Sequence, residues 1–89
     1  MVIRVAMFDK KPAQHDDKEL MGEFRSWMKS QPGFHAGWHA QDSKTGRALS
    51  ISIWKDMACV LAMKDRTFPG GTLGIKPDKV ELFDEVEEF

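Results

Sequence analysis

The chain predicts an α+β fold of ferredoxin-like βαββαβ order: a four-stranded antiparallel sheet with two helices on one face. Three observations carry that expectation. The stretch Pro32 to Trp54 reads as a β-hairpin, because Phe34–Gln41 and Arg47–Trp54 each alternate in character and Asp42-Ser43-Lys44-Thr45-Gly46 between them is turn chemistry. A helical apolar period precedes the hairpin and a compact apolar run follows it. A β-branched run opens the chain and an alternating run closes it. Two helices each joining strands in this order define the split βαβ arrangement, and right-handed crossovers put both helices on one sheet face.

Each element has a local reason. Val2 to Phe8 is β-branched and apolar with one Arg, and reads as the first strand. Lys10 to His15, with Pro12, reads as loop. Asp16-Asp17-Lys18-Glu19 resembles a capping box, with Asp16 at the cap and Glu19 three positions on. Leu20, Phe24, Trp27 and Met28 then recur at i, i+4, i+7 and i+8, one face of a helix ending near Ser30. Pro32-Gly33 stops it. Asp56 is the expected cap of a second helix, Met57 to Met63, which is apolar nearly all round and so expected to be buried on more than one side. Thr67 to Lys79 holds three Gly and two Pro and reads as loop; Val80 to Phe89 reads as the last strand.

Composition bounds the function. Eighty-nine residues make one expected domain, 1–89. A chain of this size buries only about 60–65% of its unfolded surface, yet this one carries six Met, six Phe and three Trp. Some of that apolar supply is expected to face a second copy. The net charge of −1 argues against a general nucleic-acid binder. One cysteine forms no internal disulfide, so a reducing, cytoplasmic setting is expected. The first residues show no signal-peptide pattern, and no apolar run approaches membrane-spanning length. The acidic end, Glu81 to Glu88, reads as a solvated strand edge.

The hairpin's two faces differ. Leu49, Ile51 and Ile53 point one way and read as core; Ala48, Ser50, Ser52 and Trp54 point the other. Its partner strand sets Phe34, Ala36, Trp38 and Ala40 against His35, Gly37, His39 and Gln41. Neither second face carries a formal charge, so it is expected to be covered by a second copy rather than by water.

Pro32-Gly33-Phe34 opening a strand, Gly46-Arg47 in the turn, and Trp54 closing a strand before a helix together resemble the antibiotic biosynthesis monooxygenase family, in the dimeric α+β barrel superfamily. The resemblance covers nearly the whole chain in element order. It implies a homodimer whose sheets pack face to face as a barrel, and a pocket in each subunit between helices and sheet. Characterised relatives oxidise phenolic polyketides or quinols with dioxygen, using neither metal nor flavin. The chain departs from the family in having no Asn and no Tyr. Haem-degrading relatives use an Asn on the first strand and a Trp and a His at the second helix. This chain offers Ala6-Met7-Phe8, no Trp in that helix and no His after residue 39, which argues against haem degradation.

The candidate residues follow. His35 and His39 are the clustered imidazoles and the candidates for a general base toward a phenol, since an imidazole titrates near neutrality. On a strand they lie about 13 Å apart, too far to share one zinc, so no metal is expected. Trp54 reads as a core plug or a substrate platform. Phe68 and Ile75 are candidates to close over an apolar ligand from the Thr67–Lys79 loop, and Met57 and Met63 to form an adaptable wall. Cys59 reads as a small buried hydrophobe. Ser50 and Ser52 lack a nucleophile's elbow. Gly70 to Gly74 follows a helix and precedes a strand, the reverse of a phosphate loop. Two expectations remain. One is a cofactor-independent monooxygenase-like enzyme acting on a small phenolic or quinol-type compound. The other is a non-catalytic dimeric module that binds a small ligand or stabilises a partner.

Overall fold

The computed structural model describes residues 1–70 and 76–89. Its elements run β1 (Val2–Phe8), α1 (Lys18–Lys29), β2 (Phe34–Gln41), β3 (Ala48–Trp54), α2 (Met57–Ala62) and β4 (Lys79–Phe83). The strands form one sheet in the order β2-β3-β1-β4, every neighbouring pair antiparallel. This is the ferredoxin-like α+β arrangement that the element order predicts.

The local chemistry acts largely where expected. Asp17 rather than Asp16 caps α1, its carboxylate accepting from the Leu20 N–H at 2.9 Å. Ala13–Asp16 is a short 3-10 helix inside the stretch read as loop. The Asp56 carboxylate caps α2 by accepting from the Cys59 N–H at 2.9 Å. In the hairpin loop, the Asp42 carboxylate accepts from the N–H groups of Lys44 and Thr45 at 2.8 and 3.4 Å, and Gly46 supplies a φ of +77°. Gly33 meets two demands. Its φ is +80°, and a Cβ there would stand 2.8 Å from the Cys59 Cβ, inside contact distance. The Pro32-Gly33 stop is therefore also the point where the chain passes under α2.

Three expectations are corrected. β4 ends at Phe83 and does not reach Phe89. It pairs with β1 alone, and β1 begins at Val2; with Ile3 opposite Phe83, β1 has one residue left past that pair, so no strand remains beside residues 85–89. α2 is not buried on several sides: Val60 is its buried residue, while Ala58 and Leu61 are exposed. The third correction concerns the sheet faces. The helices lie over the Trp54 face, where Val2, Ala6, Phe8, Ser52 and Trp54 are buried. Val2 and Trp54 join Val60 in a core cluster, packed by Met28, Met57, Cys59 and Met63. Leu49, Ile51 and Ile53, which alternation marks as core, share the opposite face with Ile3, Val5 and Met7. Alternation separates two faces but cannot say which one the crossovers cover; the handedness of β1-α1-β2 decides that.

β2 adds a further correction. Its register against β3 shifts between Phe34 and Ala36, leaving His35 in a bulge. Phe34 thereby joins Gly37 and His39 on the helix side, and its ring meets Trp54 edge-on at 5.3 Å. Ala36, Trp38 and Ala40 remain on the open face.

Candidate functional site

The helix side is hollow in its middle. Trp54, Phe34 and Val2 pack one end of that face, but Gly37, Ser50 and Ser52 are too small to fill the space beneath α1. Two adjoining cavities result, of about 620 Å³ toward β2 and about 710 Å³ toward β4. Arg4, Phe24, Met28 and Ser52 line both and mark their junction.

An aromatic row runs along the site. His15 lies edge-on to Phe8 at 5.6 Å and is stacked on His39, also at 5.6 Å. His39 in turn stacks on Phe24 at 6.3 Å. Phe24 continues to Phe68 at 5.6 Å and Trp27 at 6.2 Å. Burial pushes the His39 imidazole below its ordinary value of 6.5, and the His15 and Arg25 charges push the same way. Burial first, then Lys11, likewise lowers His15, against a smaller opposing pull from Asp16. Asp16 is itself paired with Lys11 at 2.6 Å. Burial thus disfavours the imidazolium form at both positions.

The polar floor is set by β1 and β3. Ser52 is buried and its Oγ accepts from the Trp54 Nε1–H at 2.9 Å, which satisfies the indole inside the core. Arg4 stands opposite Ser52 and Leu82. Its guanidinium has no side-chain hydrogen bond or ion pair among the described residues, and burial lowers its pKa. The described residues bring together no group of three His, Cys, Asp or Glu as metal ligands.

The predicted residues scatter around this centre. His39 lines the first cavity, and His35 reaches its rim from the bulge. Trp54, only 2% exposed, is a core plug whose edge borders the second cavity. Phe68 is buried against Phe24 and Trp27 and lines the second cavity with Met63. Met57 packs into the core and lines neither cavity. Ile75 lies outside the described residues, as does Leu73 of the same loop. Sequence reasoning passed over Arg4, Phe24 and His15. Arg4 carried a usable signal: it is the one charge in β1, on the parity shared by Val2, Ala6 and Phe8.

Comparison with known proteins adds the fold's company. No family model matches the chain, and neither does any curated protein. Among solved structures it is similar to SnoaB, a cofactor-independent oxygenase from Streptomyces nogalater, at 17% identity and a TM-score of 0.73, covering 98% of this chain and 94% of that one. It is similar to an antibiotic biosynthesis monooxygenase at 23% identity and a TM-score of 0.70, covering 98% and 100%. A third is the monooxygenase from the gene ActVA-Orf6 of Streptomyces coelicolor, solved with Nanaomycin D, at 15% identity and a TM-score of 0.64, covering 98% or more of this chain (99%) and 89% of that one. The chain therefore has the fold that these monooxygenase structures share, over nearly its whole length.

Proposed function

We propose that the chain is an antibiotic biosynthesis monooxygenase-type enzyme, a homodimer that oxygenates a small phenolic or quinol-like compound with dioxygen, without metal or flavin. The observation that carries this reading is His39: an imidazole with a lowered pKa, exposed in the single chain, lining the first cavity and stacked on the Phe24 ring. His39 takes the phenolic proton, with His35 at the rim as the weaker candidate. The electron-rich anion then meets dioxygen beside the Phe24 ring. On an anthrone-type substrate, the ring methylene and dioxygen give a carbonyl and one water. The substrate supplies all the electrons, so no external reductant enters. Phe24, Trp27, Phe68 and Met63 form the wall that holds the ring system in place. The solved structures of this fold named as oxygenases support the reading.

The open sheet face supports the dimer. Ile3, Val5, Met7, Leu49, Ile51 and Ile53 form an apolar field with Trp38, which is 55% exposed in the single chain. A second copy packing sheet to sheet would cover it. The lone cysteine, Cys59, suits the reducing cytoplasm; among the described residues no helix is long and apolar enough to cross a membrane.

Oxygen uptake against a panel of anthrones and quinols, without added metal, flavin or reductant, tests the enzyme. Uptake that is lost in a folded His39→Gln variant is expected. The absence of Asn and Tyr favours a second reading, a ligand-binding or partner-stabilising module. Ligand binding with no uptake across the whole panel would select that module.

A further inference from the structure

The charges around the cavities are one-sided. Arg4, Arg25, Lys29, Lys64 and Arg66 line them, and no carboxylate does. The chain as a whole has fourteen acidic residues against thirteen basic ones, and a net charge of −1. The positive lining is therefore a local segregation against the overall balance. Residues 71–75 carry no charge that would alter it. Four of the five cations sit on the helical side, on α1 or the segment after α2, and Arg66 is held by Gln31 at 3.3 Å. Arg4 differs from them. It rises from β1, a central strand, at the junction of the two cavities.

A partly desolvated guanidinium without a partner is costly, and the cost is relieved when an anion arrives. Convergent positive charge in a cleft also raises the local concentration of anions. Arg prefers planar carboxylates, which it grips with two parallel N–H···O bonds. Phe24, Trp27, Met28 and Phe68 supply aromatic and apolar walls above a small polar floor of Ser50 and Ser52, with His39 at the far side. In sheet register, Arg4 and His39 are two strand spacings apart and one side-chain step along, roughly 12 Å between Cα positions. A fused ring system spans the gap between two side chains reaching inward from those positions.

We propose that the ligand of this site is a planar aromatic acid, with its carboxylate on the Arg4 guanidinium and its ring system extending toward His39. The proposal rests on the cavity being the substrate site, as above, but not on the oxidation itself. Arg4 then binds and orients, holding the ring so that a phenolic group reaches the imidazole.

The probe pair is 2-naphthoate and its methyl ester, followed by tryptophan fluorescence and titration calorimetry. They share a ring system and differ in charge, and neither carries a hydroxyl to oxidise. The wild type should bind the acid at least tenfold more tightly than the ester. Arg4→Met should erase that preference while leaving ester binding within twofold, and Arg4→Lys should keep part of it. Equal binding of acid and ester, binding of neither, or an undiminished preference in Arg4→Met would overturn the proposal. Should Arg4→Met fail to fold, Arg4→Lys decides. Weaker acid binding with ester unchanged supports the bidentate contact; an unaltered preference overturns it. The two readings fail separately. Acid preference without oxygen uptake on any anthrone removes the oxygenase and leaves this proposal. Uptake without acid preference does the reverse.

Discussion

The two faces of this sheet contrast in the opposite sense from a simple folded domain. The side beneath the helices carries Arg4, Ser50, Ser52 and His39 around hollow space, closed at one end by Trp54 and Phe34. The side with no helices carries Ile3, Val5, Met7, Leu49, Ile51 and Ile53. Burial normally follows hydrophobicity. A polar interior beside an apolar exterior makes sense when the interior serves a ligand and the exterior serves another protein surface. Small residues at Gly37, Ser50 and Ser52 forgo the packing that a Leu or Ile would give, and the cavity is the result. On this account the open face supplies the burial that the inner face gives up.

The comparison can be broken most severely at His39. With His39→Gln, oxygen uptake on a responsive substrate should fall by about 10²- to 10⁴-fold, the usual contribution of a positioned general base. Circular dichroism should show an unchanged fold. A fall of less than threefold would move the base elsewhere, with His35 first in line.

The tryptophans on the two faces offer the next contrast. Trp54→Ala should cost about 3–5 kcal/mol, measured as a lowered thermal midpoint, because it empties the core cluster. Trp38→Ala should change assembly instead, weakening self-association while leaving the monomer's own packing nearly intact. Equal thermal losses for both would erase the distinction between plug and interface. Ile53→Glu places a charge on the open face without touching either cavity. Light scattering should then return the 10.2 kDa chain, where the wild type gives twice that mass. A wild type already running as single chains would remove the interface from the account.

The smallest effect is in pH. His15 and His39 are both held below 6.5 when folded, so the unfolded chain binds more protons between the folded values and 6.5. Stability should therefore be full above pH 6.5 and decline as pH falls through that window. His39→Gln should flatten the decline by removing its own titration. Chemical denaturation between pH 5 and 8 reads it directly; a slope of the opposite sign would mean that these imidazoles gain, rather than lose, protonation on folding.

The sequence made the element order readable because each element carried its own local signal. β1 and β2 have the bounds that their patterns imply, and Asp56 caps where expected. Faces were less legible. Leu49, Ile51 and Ile53 stand out by alternation, but which side the helices take depends on crossover handedness and on a bulge at His35 that no local residue announces. β4 was overextended because Val86 continues an alternating pattern after the neighbouring strand has run out. The site was legible only in part. His39 was visible as chemistry, yet its partners, His15 and Phe24, come from other elements and meet it only through the fold. Arg4 was visible as an anomaly in β1 but had no role until the cavity appeared beneath α1.

Whether one face holds ligand and the other a second chain can be read by methyl NMR of a labelled sample titrated with 2-naphthoate and then diluted. Ligand should shift the methyl resonances of Met28 at the cavity junction and of Leu82 beside Arg4, both on the helix side. Dilution should shift those of Ile3, Val5, Leu49 and Ile53 on the open side, with little crossover between the two sets. Ligand shifts concentrated on Ile3, Val5 and Ile53, with the helix-side methyls silent, would contradict that division of the faces.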